Sequence, residues 1–323
     1  MNRLLFKYLF LFIVIGVLLL ILFKVRSPFG KNNSSFASEP KEEITKIELS
    51  EGGKKLELAK KGDNWIINGQ TEARKSSILF IVRVLKEIKI KSPVSPELFK
   101  GEITRKNITP VKVKVYEKRH LLKSFQVYKT RSNTFGDIMR LRQGSKPFIV
   151  YIPGYEGDIG SAFIVNELFW QPYTVFNLLP SEIASVRFDN TSDTASAFSI
   201  NIIDHRYSLN GQAGNLTGWD SLRVNRYISY FARVPFESWA FDLSEAEKKS
   251  IAASIPLYRI TVVTASGRKK VLQLWGMSTG KGDANSIDSD RLFGKTEDKD
   301  ELFIMRYFDI DPLIKKRSYF FDE

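Results

Sequence analysis

The chain repeats itself, and that repeat constrains its fold more than any other feature. ITKIELS from Ile44 is answered by IASVRFD from Ile183, and WIINGQ from Trp65 by YSLNGQ from Tyr207. PVKVKVY from Pro110 is answered by PLYRITVV from Pro256, and SFQVY from Ser124 by VLQLW from Val271. Order is kept while the offset grows from 139 to about 147 residues, as expected for two copies of one unit with small insertions. A further pair, KPFIVYI from Lys146 and ELFIMRYF from Glu301, supplies the last strand of each copy. Between the copies lies FIVYIPGYEGDIGSAFIVNELFWQPYTVFNLLPSEI, residues 148–183, an apolar run followed by a glycine-rich turn and an aromatic stretch.

Length and composition agree with two domains of ordinary size: 323 residues, 43% apolar and 26% charged. There is no cysteine, which excludes disulfides and thiolate metal sites. The net charge of +13 is unevenly placed, with 28 basic residues against 13 acidic in 24–150 and 19 against 23 in 151–323. A basic first copy attracts phosphate, lipid headgroups, anionic polymers or an acidic partner, or serves only as a solvated face.

Residues 8–23 carry no charge, and extension back to Leu4 over Lys7 gives twenty residues, a helix of about 30 Å that matches the hydrocarbon thickness. Lys7 lies near the helix end, where its ammonium can snorkel to the headgroups. A cleaved signal peptide would have small residues directly after the apolar core, but Lys24, Val25, Arg26 and Pro28 follow. The expected layout is therefore an N-terminal transmembrane anchor over 1–26 and a polar linker over 27–43. A first α+β module (44–152), a connecting seam (153–182) and a second α+β module (183–323) follow. Flanking positive charge is balanced, so orientation rests on the short N-terminal tail. The expectation is a single-pass membrane protein with a short cytoplasmic tail and a large extracytoplasmic region.

Each module is expected to be a mainly antiparallel sheet with a packing helix. In the first copy, 44–50 and 54–60 alternate around Glu51-Gly52-Gly53 as a hairpin, and Trp65 is expected as a core plug. Residues 71–90 change to a helical period, with Ile78, Ile81, Val82, Leu85 and Ile88 on one stripe and Pro93 and Pro96 stopping it. Lys75, Arg83 and Lys86 cover other faces of this helix and either meet an anionic surface or stay solvated. Strands are expected at 110–117, 121–128, 135–142 and 147–152. Within VKVKV, Lys112 and Lys114 share one face, read as a device against edge pairing rather than an electrostatic contact. The second copy is expected to hold a helix over 219–231 and an extra short helix begun by the capping box Ser244-Glu245-Ala246-Glu247. Strands follow at 257–264 and 268–275, and then a polar loop over 276–290.

In the seam a helix is expected over 161–170. Phe163, Phe169, Trp170, Tyr173 and Phe176 either pack the copies together or line an aromatic groove for a peptide or glycan. The glycines at 154, 157 and 160 match neither a P-loop nor a dinucleotide fingerprint. Glu156, Asp158 and Glu167 could favour a cation, though not at EF-hand spacing. Gly276-Met277-Ser278-Thr279-Gly280 has the letters of a nucleophile elbow, but His120 and His205, the only histidines, both precede it. Asp309 and Asp311 are a nominal acid–base pair. Catalytic, cofactor and metal sites are accordingly expected to be absent, as is nucleic-acid binding, since no recognition motif is present. Tyr155, Glu156, Asp158, Trp170, Tyr173, Lys75, Arg83 and Lys86 form the candidate interaction surface.

The anchor, the strand hairpin, the WIING segment before an amphipathic helix, and YIPGYEGDIGSAFIVNELFWQPYTVFNLLPSEI before a second copy together resemble an uncharacterised bacterial domain-of-unknown-function family over most of 40–320. The resemblance implies a membrane-anchored cell-envelope protein of the bacterial inner membrane with a large periplasmic region, in a family whose relatives can accompany ABC-type transport auxiliary components of the kind linked to gliding motility. It carries over no catalytic residue. The leading expectation is a non-enzymatic binding or scaffold component, partnered by the membrane through its helix and by an envelope protein. The alternatives are an envelope glycan hydrolase acting through carboxylates and a module that binds an anionic polymer or lipid.

Overall fold

Period-two alternation of apolar and polar residues makes strands of most of this chain. The computed structural model describes residues 35–130, 136–204, 206–278 and 287–321, and the expected anchor lies outside them. Among the described residues no helix is long and apolar enough to cross a membrane. The chain is mostly antiparallel sheet with few helices, and it divides into two compact units, Met1–Pro172 and Tyr173–Glu323.

The first unit runs β1 (Lys46–Glu51), β2 (Lys54–Lys61), β3 (Asn64–Ile67), β4 (Thr71–Glu72), α1 (Lys75–Glu87), β5 (Lys89–Pro93), α2 (Pro96–Phe99), β6 (Val111–Glu117), β7 (His120–Tyr128), β8 (Asp137–Arg140) and β9 (Phe148–Tyr151). Its nine strands are ordered β4-β3-β2-β1-β6-β7-β8-β9-β5, so α1 carries the chain from one edge of the sheet to the other. Cross-strand rows build the core face. Ile67, Leu58, Ile47 and Val115 lie opposite one another in sequence across β3, β2, β1 and β6. Leu56, Leu49, Val113 and Phe125 form the next row, across β2, β1, β6 and β7. On α1, Ile78, Ile81, Val84 and Leu85 are buried in the same core, each such side chain contributing about 1.5–3 kcal/mol. On the other face, α2 and the π-helical turn Lys100–Thr104 cover one end, where Ile103, Tyr128, Ile138 and Ile149 form a second cluster with Phe99 packed against it.

Several expectations are corrected here. α1 ends at Glu87 rather than at the prolines, because Ile88 is already extended and Lys89 begins β5. The fold also begins earlier than residue 44. Phe36 is 1% exposed, edge-on to Phe125, and the Ser38 N–H donates to the Leu85 carbonyl at 2.7 Å. At the other end, Ile152, Ile159, Ala162, Phe163 and Trp170 belong to the core of the first unit. Over 161–170 the helix is interrupted. A 3₁₀ turn at Gly160–Ala162 is followed by α3 (Glu167–Trp170), which the Asn166 side chain starts by accepting from the Leu168 N–H at 3.0 Å.

The second unit opens with β10 (Thr174–Phe176). It continues through β11 (Ile183–Asn190), β12 (Phe198–Ile203), β13 (Arg206–Gly211), β14 (Gly214–Asn215), α4 (Ser221–Ser229), β15 (Val234–Pro235), β16 (Ser238–Trp239) and α5 (Glu245–Ala253). It closes with β17 (Tyr258–Thr264), β18 (Lys269–Ser278), β19 (Ile287–Thr296), β20 (Phe303–Arg306) and α6 (Tyr307–Ile310). Its large sheet is ordered β14-β13-β12-β11-β17-β18-β19-β20-β16, and β10 pairs with β15. Read strand for strand, this is the order of the first sheet.

The correspondence extends to register. Leu209, Ile200, Val186 and Val262 form the row that Ile67, Leu58, Ile47 and Val115 form in the first sheet. Phe198, Phe188, Ile260 and Leu272 stand in for Leu56, Leu49, Val113 and Phe125. The residue before each long helix donates its N–H to an aromatic residue near the end of its own unit, Arg74 to the Trp170 carbonyl at 2.6 Å and Asp220 to the Phe320 carbonyl at 2.8 Å. Near the other end of each helix, the Leu178 N–H donates to the Phe231 carbonyl as that of Ser38 does to Leu85. The helix begun by the Ser244 capping box is not an extra element. Like α2 it follows the edge strand, and its Ile251 packs on the outward cluster of Ala240, Trp275, Phe293 and Leu302.

One match in letters is not a match in shape. In WIINGQ, Asn68 and Gly69 adopt left-handed φ of 49° and 72° and make the turn between β3 and β4. In YSLNGQ, Asn210 and Gly211 stay in β13, and the chain turns beyond them, before Gly214 at φ 114°.

Candidate functional site

Of the residues expected to form an interaction surface, Trp170 is withdrawn into the core, while Glu156, Asp158, Lys75, Arg83 and Lys86 are exposed. Trp170 is fully buried, and its indole N–H donates to the Ile164 carbonyl at 2.8 Å. Phe163 is buried in the same core and Phe169 packs against it. Tyr173 belongs to the second unit, stacked on Phe236 with centroids 5.0 Å apart, and Phe176 lies 5.2 Å from Phe231. Phe163, Trp170 and Phe176 are buried within their own units and Phe169 and Tyr173 are half-buried, so an open aromatic groove is not present at Trp170. Tyr155 packs on Phe80 of α1 at 5.6 Å, and Glu156 is exposed beside it in sequence. On α1, Lys75 is exposed, Arg83 is paired with Glu87 at 2.9 Å, and Lys86 lines a cleft of about 640 Å³ with Phe36, Glu39 and Pro153.

Asp158 has a partner that local pattern does not announce. The Gly160 N–H donates to Asp158 Oδ1 and to Asp137 Oδ2, both at 2.8 Å. Asp137 sits in β8 and is 5% exposed. Its carboxyl is pushed up to about 7, first by burial and then by the adjacent Asp158 charge. A side-chain hydrogen bond joins the two carboxyls, whereas a retaining glycosidase keeps its pair about 5 Å apart around a substrate. The sequence clue was an acid inside the strand DIMR.

The other nominal chemistry is accounted for by ordinary ion pairs: Asp309 binds Arg306 at 2.8 Å and Asp311 binds Lys315 at 2.7 Å. Glu167 accepts from Asn68 Nδ2 at 3.3 Å, and among the described residues no three His, Cys, Asp or Glu side chains gather to hold a metal. Ser278 ends β18, His120 is exposed in the β6–β7 hairpin, and Thr279, Gly280 and His205 lie outside the described residues.

What the first unit leaves open is the outward face of its sheet. Lys55, Ser50, Lys112, Gln126 and Arg140 lie opposite one another in turn across β2, β1, β6, β7 and β8. Strand β6 is central, bonded to β1 and β7, so Lys112 and Lys114 do not guard an edge. Arg140 is held by its neighbours. Its Nε donates to Gln126 Oε1 at 2.8 Å, and its guanidinium lies 5.0 Å from the Tyr128 ring centroid and 5.4 Å from that of Phe99. The Tyr128 hydroxyl donates to the same Gln126 oxygen at 3.3 Å. Gln126 Oε1 is thus occupied, and its amide N–H groups are the donors it has to offer. No acid stands in this row. The neighbouring row is mixed, with Glu48 2.6 Å from Lys46 and 3.8 Å from Lys114. The corresponding row of the second sheet reads Asp189, Arg259, Gln273 and Lys295, with Asp189 bound to Arg187 at 2.9 Å.

No protein-family description, curated protein or solved structure matches this chain.

Proposed function

We propose that this chain is a membrane-tethered, non-enzymatic binding or scaffold component of a bacterial cell-envelope complex, accessory to a transporter or motility system. In this reading a duplicated α+β module supplies two similar platforms. The observation that carries it is the shared register: a basic–Gln–basic row, Lys112-Gln126-Arg140 and Arg259-Gln273-Lys295, stands at the same place on the outward face of both sheets. The aromatic residues between the copies are by contrast taken up in packing. Descent of both units from one doubled gene is supported by the matching strand order, core rows and helix-end hydrogen bonds.

The tether follows from the apolar length of residues 8–23. Only residues 24–35 separate that run from buried Phe36, so the first unit is held within about 45 Å of the bilayer. Purification from membranes in mild detergent after in-cell crosslinking tests the reading. A stoichiometric envelope protein is expected to co-purify, and repeated recovery of the chain alone counts against a scaffold. Alkaline carbonate extraction is expected to leave the full chain in the membrane pellet.

A further inference from the structure

We infer that the Lys55–Ser50–Lys112–Gln126–Arg140 row of the first sheet is a binding site for a linear, phosphate-bearing polyanion. The inference deepens the binding reading by naming a ligand class and a place for it. The row is five strands wide, and four strand spacings of about 4.8 Å give it a length of roughly 19 Å. Its cations recur at every second strand, with a hydroxyl or an amide donor between them.

Lys55 and Lys112 are exposed, and among the described residues neither has an acidic partner within ion-pair distance. Arg140 is pre-set. Cation–π contacts with Tyr128 and Phe99 and the Nε bond to Gln126 hold the guanidinium in place, and among the described residues no acid is paired with its terminal nitrogens, which suit the bidentate contact a phosphate accepts. A rigid fork loses less side-chain freedom on binding than a free arginine does.

Shape selects among anions. A lipid surface would meet the whole outward face, where the row beside this one is neutralised by Glu48 and Glu57. A single phosphate would use one cation and leave the others idle. A chain of phosphates lying along one row uses all three. In the second unit Asp189, paired with Arg187, occupies the place of Ser50, so that row offers an acceptor where the first offers a hydroxyl donor.

The test uses the full chain in detergent and labelled linear polyphosphate, read by fluorescence anisotropy. Binding is expected at low salt and to weaken steeply as salt rises. The double variants K112Q/R140Q and K55Q/K112Q are each expected to lose about tenfold or more in affinity, since two charge-assisted contacts disappear. R140K, which keeps the charge and loses the planar fork, is expected to bind several-fold more weakly. K61Q/R105Q removes the same charge from exposed positions off the row and is expected to bind like the parent chain.

Three results overturn the inference: no binding by the parent chain at low salt, equal loss in K61Q/R105Q and the row variants, or displacement by monomeric phosphate as effective as by the polymer at equal phosphate concentration. Circular dichroism of each variant separates lost binding from lost fold. A chain that recovers a protein partner from membranes and ignores polyphosphate would sink this inference and leave the scaffold reading standing.

Discussion

Asp137 concentrates the electrostatic tension of the first unit in one side chain. Its carboxyl titrates near 7 in the folded chain because burial, and then Asp158, oppose its charge, against about 3.9 when unfolded. The native state therefore holds a proton that the unfolded state releases between these values. Stability from this group is complete below about pH 4 and falls as pH rises through 7, by at most about 4 kcal/mol. Denaturant titrations between pH 5 and 8 are expected to show the first unit weakening, and D137N, whose amide oxygen still accepts from Gly160, is expected to flatten that slope. An unchanged slope in D137N would assign the effect to another group. Gly294 makes a different demand. It lies opposite Phe303 where the first sheet sets Met139 opposite Phe148, and a Cβ there would be driven into the Phe303 ring. G294A is expected to cost about 1–3 kcal/mol of stability. G276A, whose nearest side-chain atom would be 3.6 Å away, is expected to cost far less in the same thermal unfolding assay.

Elements were legible where their own residues carry the pattern. VKVKV alternates strictly and became β6, SFQVY became the end of β7, and the stripe from Ile78 to Leu85 became the buried side of α1. Segments that borrow their order from distant residues were not legible. Phe36 is a lone aromatic among Ser, Ala, Glu and Pro, and nothing local says that it plugs the space between Phe125 and Phe148. Trp170 looked like part of a connector because its partners, Ile164 and Arg74, lie on either side of a strand meander. Lys112 looked like edge protection because strand order cannot be read from one strand, and the acid inside DIMR does not by itself name its partner, because Asp158 lies far along the chain. Both closing segments are integral to the first unit, so F36A is expected to destabilise it by about 3–5 kcal/mol, the range for a buried Phe cut to Ala. If residues 35–43 were merely a linker, chemical denaturation of F36A would superpose on that of the parent chain.

For the molecule as a whole, the two units share a topology and differ in charge. Each buries its own rows of aliphatic and aromatic side chains: Ile47, Leu49 and Trp170 in one, Val186, Phe188 and Phe320 in the other. Residues 35–172 carry 25 basic against 16 acidic side chains, whereas 173–323 carry 19 against 20. Self-repulsion therefore acts on the first unit and hardly on the second. Because each has a complete sheet and its own helix-end contacts, the fragments 35–172 and 173–323 are both expected to fold alone, with a cooperative thermal transition for each. Raising the salt from about 20 to about 200 mM shortens the reach of charge from roughly 20 Å to roughly 7 Å. The melting temperature of the basic fragment is expected to rise over that range and that of the near-neutral fragment to stay level. Equal responses would mean that charge is balanced locally in both, through pairs such as Lys46 with Glu48, and that the excess on the first unit is too dispersed to act on its fold.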